Sequence, residues 1–363
     1  MSLKDEFDRY VGFGLVTARR HPKFPLTIYK YSQKCVYEHA WDDYTRTARG
    51  LILSDDGEIV ARPFRKFFNL GEDESTKKEN LPQESPVVMS KVDGSLGVSY
   101  IWEGRVYLAT MGSFDSEQAM MGTQILSKKS KAEEIILGFH DLTFLFEIIY
   151  PENRIVVDYG QITDLVLLGI IDIKSGSEMF PQRVVGVGEA MGFGTPVIYP
   201  LNLGGVVEEC GRPSKNREGY VLWYPNGLRV KLKYSEYVQL HRVVTGYSEK
   251  SVWELLSIGS DPMESLGAGP YPPEFLEFVR TTRDKLNSKF AAAADRVHKC
   301  FNEIGNTETR KEFAAKALKI SGEDSCLRSA LFCLYDKRDI SDIIWKSLEP
   351  DSSKSVFQQR GEG

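Results

Sequence analysis

The sequence predicts an α+β protein in which a domain of antiparallel sheets is followed by an all-α C-terminal domain. Two observations carry this. Up to about residue 244, short β-branched and aromatic runs alternate with Asp-Gly, Glu-Gly and Asn-Gly turns, which is the pattern of antiparallel strands. Beyond it, apolar residues recur at three- and four-residue spacing through alanine-rich stretches such as Ala291 to Ala294, which is the period of helices. The expected division is 1–244, then 245–349, then a polar and disordered tail over 350–363. With 363 residues the chain is long enough to bury two cores.

In chain order, Phe24 to Tyr31 reads as a strand. Thr45 to Leu53 enters a second, and Asp55-Asp56-Gly57-Glu58 turns it into Ile59-Val60-Ala61. In Pro63-Phe64-Arg65-Lys66-Phe67-Phe68-Asn69 two cations interleave with aromatics, which reads equally as a strand with Arg65 and Lys66 divided between the two sides of the chain or as an aromatic wall with a cation facing a nucleotide. The strand before Lys91, the Asp93-Gly94 turn and Gly97 to Trp102 read as a hairpin, followed by the Glu103-Gly104 turn and Val106 to Thr110. A single helix is expected from Ser116 to about Ile136. Leu142 to Tyr150, Asn153 to Tyr159 and Leu165 to Ile171 read as buried strands. Gly192-Phe193-Gly194 lacks the rest of any phosphate-binding fingerprint and is a loop. Arg217 to Tyr224 and Leu228 to Tyr234 form a hairpin through Pro225-Asn226-Gly227, with Lys231 and Lys233 on one face. Helices are expected over Ser251 to Leu256, Pro273 to Ile304, Glu308 to Ile320, Asp324 to Leu334 and Ile340 to Leu348.

Composition removes several classes of function. A net charge of −5 excludes a strongly basic chain that coats nucleic acid without specificity, although it leaves room for a local basic groove. No run approaches the roughly 18 apolar residues of a membrane span, and the polar opening Met1 to Glu6 does not read as a signal peptide. A cytoplasmic location is therefore expected. The five cysteines are scattered without a Cys-x-x-Cys pair, so neither a disulfide framework nor a structural zinc site is suggested.

Against this background the polar exceptions in apolar strands stand out: Arg49, Lys66, Lys91, Asp93, Glu147, Glu218, Lys231 and Lys233. A lone glutamate in the run Leu142 to Tyr150 is costly to bury unless it is paired or beside a metal. A lysine can serve as a nucleophile where neighbours lower its pKa, and neighbouring cations are the expected means here. Lys91-Val92-Asp93-Gly94-Ser95, Glu147 in its apolar strand, Glu218-Gly219-Tyr220-Val221 and Lys231-Leu232-Lys233 together resemble the covalent nucleotidyltransferases, and most closely the RNA ligase 1 family of T-even phage type. Ala48-Arg49-Gly50, Lys66-Phe67-Phe68-Asn69-Leu70, Gly112-Ser113-Phe114, Asn153-Arg154-Ile155-Val156 and Tyr237 extend the resemblance from about Tyr29 to His241.

The resemblance implies an ATP-grasp-like nucleotidyltransferase domain and an ATP-dependent RNA ligase. Lys91 would attack the α-phosphorus of ATP and carry AMP. Lys231 and Lys233 would contact the α-phosphate, and Arg49 and Lys66 would clamp the β- and γ-phosphates. Glu147 and Glu218, with Asp93 as a further candidate, would hold Mg²⁺ or Mn²⁺. Tyr31, Phe68, Gly94 and Gly219 would complete the nucleotide pocket. The implied partner is RNA with 5′-phosphate and 3′-hydroxyl ends, single-stranded or a broken tRNA, handled by a monomer with no membrane association, in the host-cell cytoplasm if the chain is viral. Where the family pattern is Lys-Gly-Ser this chain reads Met111-Gly112-Ser113, so one cation of the pattern is missing. The alternatives are a DNA ligase or capping-type enzyme, disfavoured by the helical sequence after Lys233, and a ligase-fold protein that binds nucleotide or RNA with impaired turnover.

Overall fold

The computed structural model describes residues 2–350 apart from 268 and 270. Of the tail expected to be disordered, 351–363 lie outside the described residues. The chain divides into two compact units between His241 and Arg242, and the helix Ser235–Gly246 runs through that point.

The first unit is built on strands: β1 (Val16–Arg20), β2 (Leu26–Tyr31), β3 (Arg49–Ser54), β4 (Ile59–Ala61), β5 (Phe68–Asn69), β6 (Val87–Lys91), β7 (Ser95–Trp102), β8 (Arg105–Ala109), β9 (Leu142–Ile149), β10 (Asp164–Asp172), β11 (Ile198–Tyr199), β12 (Gly219–Trp223) and β13 (Arg229–Lys233). They form three sheets, ordered β1-β2-β3-β4, β10-β9-β7-β8 and β11-β6-β12-β13-β5. Every pairing is antiparallel except that of β13 with the short β5. Strand β9 is buried on both faces from Thr143 to Ile149. Its Phe144, Phe146 and Ile148 pack with Leu165 and Leu167 of β10 and with Ile125, Leu126, Ile136 and Val184 from the covering helices. The third sheet has its own core of Val88, Tyr220, Leu222, Val230 and Leu232.

Three expectations are corrected here. The Lys91 to Gly94 segment is not a hairpin, because β6 pairs with β11 and β12 in one sheet while β7 pairs with β8 and β9 in another. The Asp-Gly step carries the chain between sheets. Residues 153–159 are not a strand: a short 3₁₀ turn, Pro151–Asn153, leads into irregular backbone. The amides of Val156 and Val157 are satisfied there by Asp93 Oδ2, at 3.0 and 2.8 Å, in place of a neighbouring strand. The helix expected over 116–136 is two helices, Glu117–Ser127 and Ser130–Gly138. Lys129, at φ −113° and ψ 78°, leaves the helical geometry between them, and its ammonium binds Gly192 O (2.5 Å) and Asp164 Oδ1 (3.1 Å) over the ring of Phe193.

The second unit is helical, with Glu249–Ser257, Pro262–Leu266, Pro273–Ile304, Arg310–Ser321, Ser325–Tyr335 and Ser341–Ser347 among its described residues. Val297, Ile304, Phe313, Ala317, Leu327, Leu331 and Ile344 form its core. Pro262–Leu266 had no apolar period to announce it. It is set by Asp261, which caps it by accepting from the Met263 and Glu264 amides, and by proline at its first position. All five cysteines are free. No helix among the described residues is long and apolar enough to cross a membrane.

Gly219 opens β12 between β6 and β13. A Cβ there would lie 2.0 Å from Leu232 O and 2.7 Å from Lys233 Cα, with φ at +153°. Because those obstacles are backbone, Gly219→Ala should destabilise the first unit by about 2 kcal/mol or more, at the upper end of single-substitution effects. Urea unfolding followed by tryptophan fluorescence measures it.

Candidate active site

The register of the third sheet assembles the centre of the site. Lys91 at the end of β6 lies opposite Gly219, and Gly219 lies opposite Lys233 at the end of β13. The residue just before that row is Glu218, which is 3% exposed. Its carboxylate bridges the two lysines, with Oε2 2.7 Å from Lys91 Nζ and Oε1 2.8 Å from Lys233 Nζ. Burial acts to raise the Glu218 pKa, but Lys91 and Lys233 outweigh it and hold the carboxyl below its usual value. Removing one partner from such a buried pair costs about 3–5 kcal/mol, so the bridge fixes where both ammonium groups sit.

Glu147 reaches the same place from β9. It pairs with Leu96 of β7, directly after the sheet-crossing turn. Gly94 permits the approach, since a Cβ there would lie 2.7 Å from Ile148 O and 3.0 Å from Glu147 Cγ. Glu147 is buried and makes no hydrogen bond or salt bridge among the described residues. Its pKa is pushed up to about 8, by burial first, with Lys91 opposing and Glu218 and Asp93 adding to the rise. Lys231, Lys233 and a divalent metal were expected to lower the Lys91 pKa; among the protein's own groups these carboxylates act the other way. Burial alone would lower it, but Glu218, Glu147 and Asp93 prevail and the pKa is raised. In this state Lys91 is an ammonium held by carboxylates.

Asp93 occupies a different position from the one expected of a metal ligand. Its Oδ2 accepts from the Val156 and Val157 amides, and its Oδ1 accepts from Tyr237 Oη at 2.7 Å. Its own amide donates to Tyr159 Oη at 2.9 Å. Both carboxylate oxygens are therefore committed to protein donors, and the residue pins the crossing turn to the 153–159 segment and to the helix that begins at Ser235. Glu218 likewise has both oxygens on lysines. Among the described residues no three His, Cys, Asp or Glu side chains converge as a ready metal site. Of the three carboxylates proposed from the sequence, Glu147 alone has an edge free for a cation.

The remaining cations gather without carboxylates. Arg49, at the start of β3, lies over the Phe67 ring at 5.4 Å, and its Nη1 is buried with no hydrogen-bond partner. Lys231 lies over the same ring at 5.3 Å. Lys66 sits in a cage of Tyr31 (5.7 Å), Trp41 (5.4 Å) and Phe68 (5.0 Å). Neither lysine has an ion pair among the described residues. Lys66 is lowered in pKa by burial, with Arg49 and Lys233 contributing and Glu72 opposing. Lys231 falls to about 7, through burial and then the charges of Lys66, Arg49, Lys91 and Lys233. Unpaired, partly desolvated cations around one space form a site for a polyanion. Met111 packs nearby, its Cα 3.4 Å from where a Cβ on Gly50 would stand, so the cation missing from the sequence pattern is missing beside Arg49.

All twelve residues singled out in the sequence are thus placed: Arg49, Lys66, Lys91, Glu147, Glu218, Lys231 and Lys233 face one another, Tyr31 and Phe68 enclose Lys66, Gly94 and Gly219 allow close backbone approach, and Asp93 braces the turn. Trp41 and Tyr159 were missed, and Phe67 was singled out only as part of the Lys66 to Leu70 stretch. Trp41 lies in a polar stretch with no period, and no local signal would have found it.

A lysine set between carboxylates and opposite unpaired cations defines a class of site suited to an anionic ligand. The relatives give the family. Residues 47–237, just over half of the chain, match the RNA ligase family of T4 type, and the chain belongs to that family. It is similar to a candidate RNA ligase of Thermovibrio ammonificans, 32% identical over 55% of this chain and 54% of that one. It is also similar to RNA ligase 1 of bacteriophage TS2126, 31% identical over 38% of this chain and 37% of that one. The matches span about half or less of those two relatives. A solved structure of Naegleria gruberi RNA ligase with pyrophosphate aligns over 44% of this chain and 52% of that one, at 18% identity and a TM-score of 0.36.

A polyanion entering this site favours the charged form of Lys231. Tripolyphosphate binding at pH 8 should therefore take up a proton, and affinity should fall as pH rises through about 7. Calorimetry in buffers of different ionisation enthalpy reads the uptake, and Lys231→Met should reduce it.

Proposed function

We propose that this chain is an ATP-dependent RNA ligase that joins 5′-phosphate and 3′-hydroxyl RNA ends. The observation that carries the reading is the bridged Lys91, held 2.7 Å from buried Glu218 and faced by the unpaired Arg49, Lys66 and Lys231. Family membership supports it.

In this reading Arg49 and Lys66 hold the β- and γ-phosphates, and Lys231 and Lys233 neutralise charge that builds on the α-phosphate. Tyr31 and Phe68 border the nucleotide. Glu147 fits a divalent cation, because it is a buried carboxyl with no ion pair among the described residues and with Glu218 and Asp93 close enough to raise its pKa. Mg²⁺ or Mn²⁺ held there by Glu147 would supply charge neutralisation for the phosphates. Lys91 must lose its proton before it can attack. The Lys91 nitrogen then forms a bond to the α-phosphorus as the bond to pyrophosphate breaks, and Lys91 carries AMP. An RNA 5′-phosphate oxygen takes the AMP from Lys91, which recovers its electron pair and a proton. Finally a 3′-hydroxyl attacks the RNA phosphorus, loses its proton and expels AMP. Dividing one condensation into three displacements is the gain of covalent catalysis.

Asp93 is a positioning residue in this scheme. Choice among RNA substrates is assigned to the helical unit, and action as a monomer in the cytoplasm belongs to the same reading. Incubation with α-labelled ATP and Mg²⁺ should leave label on the denatured protein band. Lys91→Ala should abolish it, and Asp93→Asn should reduce it by about tenfold or more through loss of turn geometry. Absence of label from the unaltered chain, or label that survives Lys91→Ala, overturns the covalent mechanism.

A further inference from the structure

Behind the phosphate clamp lies a cavity of about 800 Å³ within the first unit, in the upper part of the ≈ 300–1,000 Å³ range of ligand pockets. Lys66 lines it and also belongs to the clamp, and Phe67, whose ring lies under Arg49 and Lys231, lines it too. The two spaces therefore meet at the 66–67 step. Five cations, Arg46, Arg62, Arg65, Lys66 and Arg229, line the cavity against two carboxylates, Asp43 and Glu178. Arg46, Arg65 and Arg229 are paired, with Asp73, Asp43 and Glu178 respectively. Arg62 is not: its Nε donates to Ile173 O at 2.7 Å and it has no carboxylate partner among the described residues. Phe180 is half exposed at the rim and meets the Trp223 ring edge-on at 4.9 Å. Trp223 Nε1 is buried with no hydrogen-bond partner, which leaves a donor for an acceptor not supplied by the protein.

Cations interleaved with aromatic faces are the chemistry that holds single-stranded nucleic acid, phosphates on the first and bases on the second. We infer that this cavity seats the 5′-phosphate-bearing RNA strand, with its terminal phosphate on Lys66 and Arg49 and the following nucleotides along Arg62, Arg65 and Phe180. The inference rests on the ligase reading and deepens it by giving the donor strand a path. The strand enters from the side that pyrophosphate vacates, so its terminal phosphate meets AMP on Lys91 opposite the bond that must break.

The test uses the full chain and a fluorescent 5′-phosphorylated decaadenylate, with binding read by anisotropy over a salt series. The triple variant Arg62→Ala, Arg65→Ala, Phe180→Ala should bind at least about tenfold more weakly, from one lost stack and two lost phosphate contacts. Its slope of log affinity against log salt should flatten by about 1.4, at ~0.7 per contact on a single strand. Arg62→Lys with Arg65→Lys should retain most of the affinity, which a structural collapse would not allow, and thermal unfolding checks that the triple variant is folded. If the unaltered chain takes label from ATP but the folded triple variant binds RNA as the unaltered chain does, the cavity assignment fails and the ligase reading stands. If the unaltered chain takes no label while the triple variant loses RNA, the cavity stands as an RNA site and the ligase reading fails.

Discussion

The Glu218 bridge is the interaction on which the site depends. A carboxylate at 3% exposure must be paired or protonated, and here it is paired twice, to lysines that arrive from the strands on either side of its own. That arrangement sets Lys91 and Lys233 at a fixed separation across the third sheet. It also leaves Lys231, two residues earlier on β13, on the same face with no anion. The held and the unheld lysines have opposite electrostatic consequences, since Lys91 is raised in pKa and Lys231 falls to about 7. The site thus favours the protonated form of Lys91 beside cations that have no ion pair among the described residues. In the proposed reading, a polyphosphate with a divalent cation would change both at once, supplying anions to Arg49, Lys66 and Lys231 and a cation to Glu147.

The second constraint is the passage from sheet to sheet at Asp93-Gly94. Gly94 lets the chain lie against Ile148 O and Glu147, which brings a carboxylate from the second sheet beside a lysine of the third. Asp93 then ties the passage down through two amides and two tyrosine hydroxyls. A hydrogen bond to a charged group contributes about 1.5–3 kcal/mol, so this cluster gives the crossing a single geometry without the ladder of a hairpin. Its dependence on Tyr237 joins the turn to the helix that begins at Ser235.

Phe67 and its neighbours form the third structural idea. The Phe67 ring lines the larger cavity and also lies against Arg49 and Lys231, and Tyr31, Trp41 and Phe68 surround Lys66, which has no ion pair among the described residues. Aromatic faces attract ammonium groups by about 0.5–2 kcal/mol without neutralising them, which leaves their charge open to an anion.

Much of this was legible in the sequence. Strands of period two and helices of period 3.6 are local properties, so the α+β order, the 219–233 hairpin and the five long C-terminal helices could be read directly. The site residues were legible because charge in an apolar strand is expensive and therefore conspicuous, and because the spacing of Lys91, Glu147, Glu218 and the Lys231, Lys233 pair resembles a known family. What tertiary structure alone decided was pairing and protonation. Asp93-Gly94 satisfies the local rule for a hairpin, but which strand accepts the hydrogen bonds of β6 is a non-local choice. The 153–159 segment looks like a strand because it is apolar, and becomes irregular because a carboxylate 63 residues away takes its amides. Lys231, Lys233 and a divalent metal were expected to lower the Lys91 pKa; among the protein's own groups its direction depends on distances to Glu218, Glu147 and Asp93, which no sequence spacing records. Trp41 entered the site only because β2, β3 and the 66–68 step fold around it. Sequence determined which residues carry charge and on which kind of element; the fold determined which charges meet, because Coulombic and hydrogen-bond energies are set by separations across strands that lie far apart in the chain.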